Sequence, residues 1–395
     1  MKIAREVVLA APVRTAIGTF NGSLKEVPAT DLGAHAIQAS LSRSRIEPAR
    51  VASVVMGNVV QAGNRMNPAR QAAMGAGVSH EVPALTVNRV CGSGAQAIVS
   101  AAQEVLLGLA DAAIAGGMEN MDRAPYLLPG ARHGYRMGDA QVLDSVLLDG
   151  LLDAFSGEHS GWHTEDLVAR EGISRDAQDR WAERSQQRFA AAQRAGHFVA
   201  EIEPIEVRLG KRTTRFDQDE HNRPDTTLDK LATLRPAFRE GGTLTAGNAP
   251  GLNSGAAAML VVERGLADRQ GIEPFARLVS WGVAGVEPGL FGLGPVPAIR
   301  QALDRAGWRL GDIDALEINE AFAAVPLAVM GALGLPADIV NIEGGAVAHG
   351  HPIGATGAIL ATRLMHAMRR NNQRRGVVSL CIGGGQGIAL ALERI

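Results

Sequence analysis

Cysteine is nearly missing from this sequence: Cys91 and Cys381 are the only two in 395 residues. A single pair cannot build a disulfide framework, and neither residue has the neighbours that zinc-ligand spacing requires. Aromatic side chains are few, 15 in all. Charge of one sign is missing too, because 39 Lys and Arg stand against 41 Asp and Glu for a net charge of −2. That balance excludes the basic footprint of a nucleic-acid binder or of a protein drawn to an acidic membrane surface. Long apolar runs are also lacking. The seven residues Val7 to Val13 follow Lys2 and Arg5 and are broken by Arg14, too short for a signal-peptide core. No run approaches the ~18 residues of a membrane-spanning helix. A cytoplasmic protein with reduced thiols is expected.

What is abundant is glycine, 47 residues, within an ordinary globular composition of 46% hydrophobic and 20% charged residues. The length suits two or three domains. Short apolar runs at 5–13, closed by Pro12, and at 51–59, 84–90 and 111–117 read as buried strands. Helical spacing at 31–44, with Asp31 as N-cap, and at 93–108 separates them. Alternation of this kind predicts α/β architecture with parallel strands. The order then recurs: residues 37–56 align without a gap on 299–318, pairing Ile37 with Ile299, Leu41 with Leu303 and Val51 with Ile313. CysGlySerGlyAla (91–95) falls against HisProIleGlyAla (351–355). Two similar α/β halves are predicted. Between them, 30 of the 83 residues at 158–240 are charged with mixed sign, which reads as a solvated insertion; residues 174–195 form its clearest helix, with Ser174 as N-cap.

The chemistry-bearing residues gather at predicted strand ends. Cys91 lies where a strand turns into a helix, and a helix N-terminus favours a thiolate. Gly92 and Gly94 permit a tight turn there. The same glycines also fit a dinucleotide-binding turn, but Asp111 is misplaced for its ribose contact; a small buried cysteine is the plainer alternative. His351 sits in the glycine-rich stretch 344–358 at the matching turn of the second half and could serve as the base for a thiol. In an extended chain His349 would point to the opposite side. Cys381 ends a strand and precedes three glycines, whose free N–H groups could stabilise an oxyanion by about 2.7–4 kcal/mol per donor. Asn319 and Glu320 follow the strand 313–318, where Asn319 could equally cap the next helix. His159 and His163 form an H-x-x-x-H pair without an evident third ligand, so no metal is expected.

Together, the segments TVNRVCGSGA (86–95), TLTAGNAPGLNSGAAA (243–258), INEAFAA (318–324), GGAVAHGHPIGATG (344–357) and CIGGGQG (381–387) resemble the thiolase family over essentially the whole chain. Within it, the chain resembles the bacterial acetoacetyl-CoA and 3-ketoacyl-CoA thiolases. The resemblance implies an α/β fold of five layers, α-β-α-β-α, built from two similar halves with an inserted loop domain. Residues 1–119, completed by 251–273, would be the first half, 120–250 the insertion and 274–395 the second half.

The resemblance also implies acyl transfer through an acetyl-cysteine, with acyl-CoA and CoA as substrates and no permanently bound cofactor. Cys91 would be the nucleophile, His351 its base and Cys381 the second acid–base group. One oxyanion site would use His351 with a water held by Asn319, the other the N–H groups of Cys91 and Gly383. His159, Ser160, Arg223, Phe238, Ala246, Ala249, Pro250 and Phe291 would contact CoA or the acyl group. Segment 126–143 would assemble a homotetramer. Ser160 and Phe291 replace a usual Met, Pro250 a usual Ser, Glu343 a usual Asn and His349 an aliphatic residue. The first three bear on acyl-chain preference. A decarboxylating ketoacyl synthase would carry His in place of Cys381, and a non-catalytic relative would lack one of Cys91, His351 or Cys381.

Overall fold

The structure, a computed structural model, describes residues 5–395; Lys2 falls among the four that lie outside it. Nine strands follow one another along a single ladder: β1 (Val7–Arg14), β2 (Ser53–Gly57), β3 (Ala84–Val87), β4 (Ala112–Asn120), β5 (Asn253–Glu263), β6 (Pro274–Gly285), β7 (Ala315–Ile318), β8 (Arg375–Ile382) and β9 (Gln386–Arg394). Their spatial order is β7-β8-β9-β6-β1-β5-β4-β2-β3. The order mirrors itself about the β6/β1 junction, where Val8 pairs with Arg277 and Leu9 with Ala276. Parallel pairing of β2 with β3 and β4 is matched by β7 with β8, and by a lone parallel bridge from Leu316 to Val340. The internal repeat is therefore structural.

Eight helices give the layers: α1 (Ala29–Ser44), α2 (Pro68–Gly75), α3 (Ser93–Leu106), α4 (Ser160–Glu171), α5 (Arg175–Arg194), α6 (Pro295–Ala306), α7 (Ala324–Leu333) and α8 (Thr356–Arg370). Helices α3 and α8 pack on each other between the two halves of the ladder; α1 and α2 cover the outer face of one half and α6 that of the other. The result is the five-layered α-β-α-β-α arrangement. Strands enclosed on both faces must be apolar on both. On β5, Ala256, Leu260 and Val262 face the outer core while Met259 and Val261 face the central one.

Local signals were followed with small departures. Ser174 caps α5 by accepting from the Ala177 N–H, as expected. Asp31 is not a cap: α1 begins at Ala29 after Pro28, and Asp31 sits in the first turn, where its charge suits the helix dipole. Nor does Pro12 close the first strand. Ala11 takes a left-handed φ of 46°, the register shifts between Ala10 and Val13, and a bulge carries β1 on to Arg14.

The central helices approach closely because small residues face each other. A Cβ on Gly94 would lie 2.6 Å from Ala358 N, and one on Gly357 would fall on Ala95 N. Gly357→Ala is expected to cost about 1–3 kcal/mol in urea denaturation through overpacking. Gly331→Ala, on α7 with nothing near its Cβ, should instead stabilise by about 0.4–1 kcal/mol. Equal effects at the two positions would refute the close-crossing argument.

Candidate active site

The turn that carries Cys91 is strained. Val90, a β-branched residue, has φ of 44°. Ser93 and Asn88 hold it there: the Ser93 hydroxyl accepts from Arg89 N (2.9 Å) and donates to Val90 O (2.7 Å), while Val90 N donates to Asn88 Oδ1 (2.9 Å). A Cβ on Gly92 would lie 2.6 Å from Ile382 Cδ1, so the turn sits directly on the strand end that follows Cys381. Arg89 reaches across the halves to Gln386 Oε1 (2.9 Å).

His351 precedes α8, but the element before it is a single helical turn, Ala346–His349, rather than the expected strand. Its backbone N donates to Asn253 Oδ1 (2.9 Å). The Thr356 hydroxyl donates to Pro352 O (2.8 Å), leaving its oxygen to accept from His351 Nδ1 at 2.7 Å. Nδ1 is thereby assigned the proton and Nε2 carries none. Asn319 Nδ2 lies 3.4 Å from that Nε2. Burial pushes the His351 pKa down to about 4, so the ring is neutral at pH 7. His349 turns away, tilted against Phe189 with Nδ1 2.8 Å from Gly350 O.

Cys91 opens partly on a cavity of about 430 Å³ that His351, Gly383, His159, Ser160, Phe238, Ala249, Pro250 and Phe291 also line. Burial pushes its thiol up to about 11, while N–H groups of Gly383 and Cys91 itself favour the thiolate. Desolvation at Cys91 outweighs the pull of the helix terminus towards the thiolate. Cys381 and Asn319 do not line the cavity but lie behind it, both fully buried. The Cys381 thiol is raised by burial and by the nearby Cys91 sulfur, so the two do not ionise together.

Asn319 caps no helix, since α7 begins only at Ala324. Its N–H donates to Ser379 O on β8 (2.9 Å). Its neighbour Glu320 fixes it further, and sequence reasoning left that residue without a role. The Glu320 carboxylate accepts from Trp181 Nε1 and Ser185 Oγ on α5, Asn341 Nδ2 (each 2.8 Å) and Val347 N (3.0 Å). The insertion is thus bolted to the strand end that holds Asn319. Thr356 was also missed; its only signal was the five-residue spacing from His351.

His159 stacks on Phe238 at 4.7 Å and caps α4 through Nδ1. His163 bonds Ser156 instead of pairing with His159 on a metal. No group of three or more His, Cys, Asp or Glu among the described residues could hold a metal ion. Arg223 and Ala246 line a second cleft with Lys230 and Gly247, which shares Ala249 with the main cavity.

Sequence models of the thiolase N-terminal and C-terminal domains match residues 7–265 and 272–394. This chain belongs to the thiolase family. It is 50% identical over 392 residues to an acetyl-CoA acetyltransferase of Escherichia coli, covering 99% of this chain and 100% of that one. With the beta-ketothiolase BktB of Cupriavidus necator it shares 51% identity over 395 residues, the full length of both. The crystal structure of a Bacillus anthracis acetyl-CoA acetyltransferase superimposes with a TM-score of 0.97 at 42% identity, covering 99% of each chain. That of human mitochondrial 3-ketoacyl-CoA thiolase in complex with CoA gives 0.95 at 42% identity, covering 99% of this thiolase and 98% of the human chain.

Buried titratable groups link this thiolase's stability to pH. Burial and the Arg363 and Arg14 charges hold the His349 pKa far below its unfolded value of 6.5. The unfolded chain therefore binds the extra proton below about pH 6.5, and stability from this site falls as pH drops. Glu119 and Glu317, raised to about 7 and 8, act oppositely, favouring the fold as pH falls from there towards the ordinary carboxylate range. Comparing variants isolates one term. His349→Val should gain on the order of 1–2 kcal/mol relative to wild type between pH 7 and pH 5. Urea melts showing a constant difference would disprove it.

Proposed function

We propose that this thiolase condenses two acetyl-CoA to acetoacetyl-CoA, and cleaves 3-ketoacyl-CoA in reverse, through an acetyl group carried on Cys91. The observation that supports it best is the pairing of a partly exposed thiol with a neutral imidazole whose Nε2 carries no proton, in one cavity. His351 Nε2 takes the Cys91 proton as sulfur attacks the thioester carbonyl carbon. The C–S bond to CoA then breaks, and the leaving thiolate takes the proton back. The N–H groups of Cys91 and Gly383, which already face the sulfur, would hold the tetrahedral oxyanion. In condensation Cys381, its proton passed first to His351 Nε2, would remove an α-proton from the second acetyl-CoA. The enolate oxygen would then accept from the protonated His351 and from a water held by Asn319, and its carbon would displace Cys91 from the acetyl group, the departing sulfur taking the His351 proton. Thiolysis retraces these steps, with Cys381 supplying the proton to the departing acetyl-CoA carbanion.

Residues 120–250 would form the CoA-binding insertion between the halves 1–119 with 251–273 and 274–395. Arg223 would meet CoA phosphate in the outer cleft, and pantetheine would run past Ala246 and Ala249 to Pro250 and His159. A homotetramer through 126–143 is supported by the exposure of Tyr126, Tyr135 and Met137. No described helix is long and apolar enough to cross a membrane. A cytoplasmic enzyme of fatty acid metabolism fits two free thiols. Ser160 in place of a larger side chain, with Leu148, Leu151 and Leu152 along the same cavity, supports acyl chains longer than acetoacetyl.

Two measurements test this. Incubation with acetoacetyl-CoA should add about 42 Da to the intact protein and nothing to Cys91→Ala; no adduct in either would overturn the reading. Thiolysis of the six- to ten-carbon 3-ketoacyl-CoA series should proceed at rates comparable to acetoacetyl-CoA. Turnover of the four-carbon substrate alone would sink the chain-length proposal.

A further inference from the structure

Glu119 ends β4 with its side chain fully buried, and nothing in the reaction so far uses it. Its carboxylate nevertheless gathers donors from two separate segments. Oε1 accepts from the Asn58 side-chain amide (2.7 Å) and Val60 N (3.3 Å); Oε2 accepts from Val59 N (3.0 Å) and Gly354 N (2.9 Å). Asn58 to Val60 follow β2 in the first half, whereas Gly354 lies three residues after His351 in the second. The packing leaves no slack, since a Cβ on Gly354 would lie 2.8 Å from both Asn58 Cα and Glu119 Oε2. The segments so joined present Val59, Val60 and Ile353 as one apolar cluster, and Cys91 packs against that cluster.

Among the described residues no cation pairs with the carboxylate. The titratable group that feels its charge is the Cys91 thiol, on the turn before α3, while His351 stands on the turn whose Gly354 N–H Glu119 holds. A negative charge beside Cys91 opposes its thiolate, and Glu119 does so in addition to burial. We propose that Glu119 is a positioning residue for the nucleophile, tying the 58–60 loop and the His351-bearing turn into one wall and setting its negative charge against the Cys91 sulfur. The wall keeps sulfur and imidazole in register; the charge adds to burial in keeping the resting sulfur protonated. Glu119 itself lies near pH 7 through burial, with the backbone donors holding it from rising further. Its charge therefore diminishes below neutrality. The role assigned rests on Cys91 being the nucleophile.

The test uses the full-length enzyme and Glu119→Gln. Alkylation of Cys91 by iodoacetamide, followed on the Cys91 peptide to separate it from Cys381, reports the thiolate fraction at a fixed pH of 8.5. Removing the charge should raise that rate by roughly threefold or more. Removing the acceptor should loosen the wall and lower kcat for acetoacetyl-CoA thiolysis by about tenfold or more, with KM for CoA little changed. General destabilisation would also expose the buried Cys381, so the Cys381 peptide followed in the same digest should keep its wild-type alkylation rate; a parallel rise at Cys381 overturns the charge effect. Unchanged alkylation, or kcat within twofold of wild type, overturns the proposal. Should Glu119→Gln not fold, Asn58→Ala removes one donor and keeps the charge: kcat should fall several-fold without faster alkylation. Wild-type kcat in folded Asn58→Ala likewise overturns it. Alkylation needs no turnover, so failure here is distinguishable from failure of the acyl-transfer reading, which the acetyl adduct decides.

Discussion

The close crossing of the two central helices is the constraint on which the site depends. At Gly94, Ala95, Gly357 and Ala358 the backbones of α3 and α8 meet almost without side chains between them. Each helix carries at its N-terminal end a turn with one reactive group, Cys91 on one and His351 on the other. The halves repeat one plan about the β6/β1 junction: the Cys91 turn follows the parallel strand β3, and the His351 turn follows the matching segment, of which a lone bridge at Val340 remains. Asn319 and Cys381 arrive at strand ends of the same half. A side chain larger than hydrogen at the crossing would push the two turns apart.

The second constraint is dryness. Burial moves every reactive group towards neutrality: both thiols are pushed up and His351 is pushed down. A resting thiolate–imidazolium pair is therefore disfavoured, and the compensating elements are specific and few. They are the N–H groups of Gly383 and Cys91 at the sulfur and the Thr356 hydroxyl that fixes the His351 tautomer. Such fixed dipoles need no reorganisation when charge develops, which is where preorganised sites gain most of their advantage.

Two buried carboxylates join the parts. Glu320 connects the helix α5 of the insertion to the Asn319 strand end, and Glu119 connects the first half to the turn of His351. Each accepts four hydrogen bonds, so each is satisfied without a cation. The insertion, which reads in sequence as a solvated stretch of mixed charge, is anchored by one such acid and by the edge-on packing of Phe238 against Phe322.

By itself the sequence determined whatever depends on near neighbours: strand and helix alternation, the doubled plan, the Ser174 cap, and the glycine-bracketed Cys91, His351 and Cys381. Periodicity and turn chemistry act over a few residues and can be read along the chain. Tertiary structure decided what depends on burial and on partners hundreds of residues away. It carried β1 past Pro12 through a bulge, because pairing with β5 continues beyond it. It placed Cys381 and Asn319 behind the cavity rather than on its wall. It gave Glu119, Glu320 and Thr356 their roles through donors and acceptors that only folding brings within 3 Å or so. It also reversed the sign of the expected Cys91 shift, since a helix terminus is a local feature but desolvation is a property of everything packed around it.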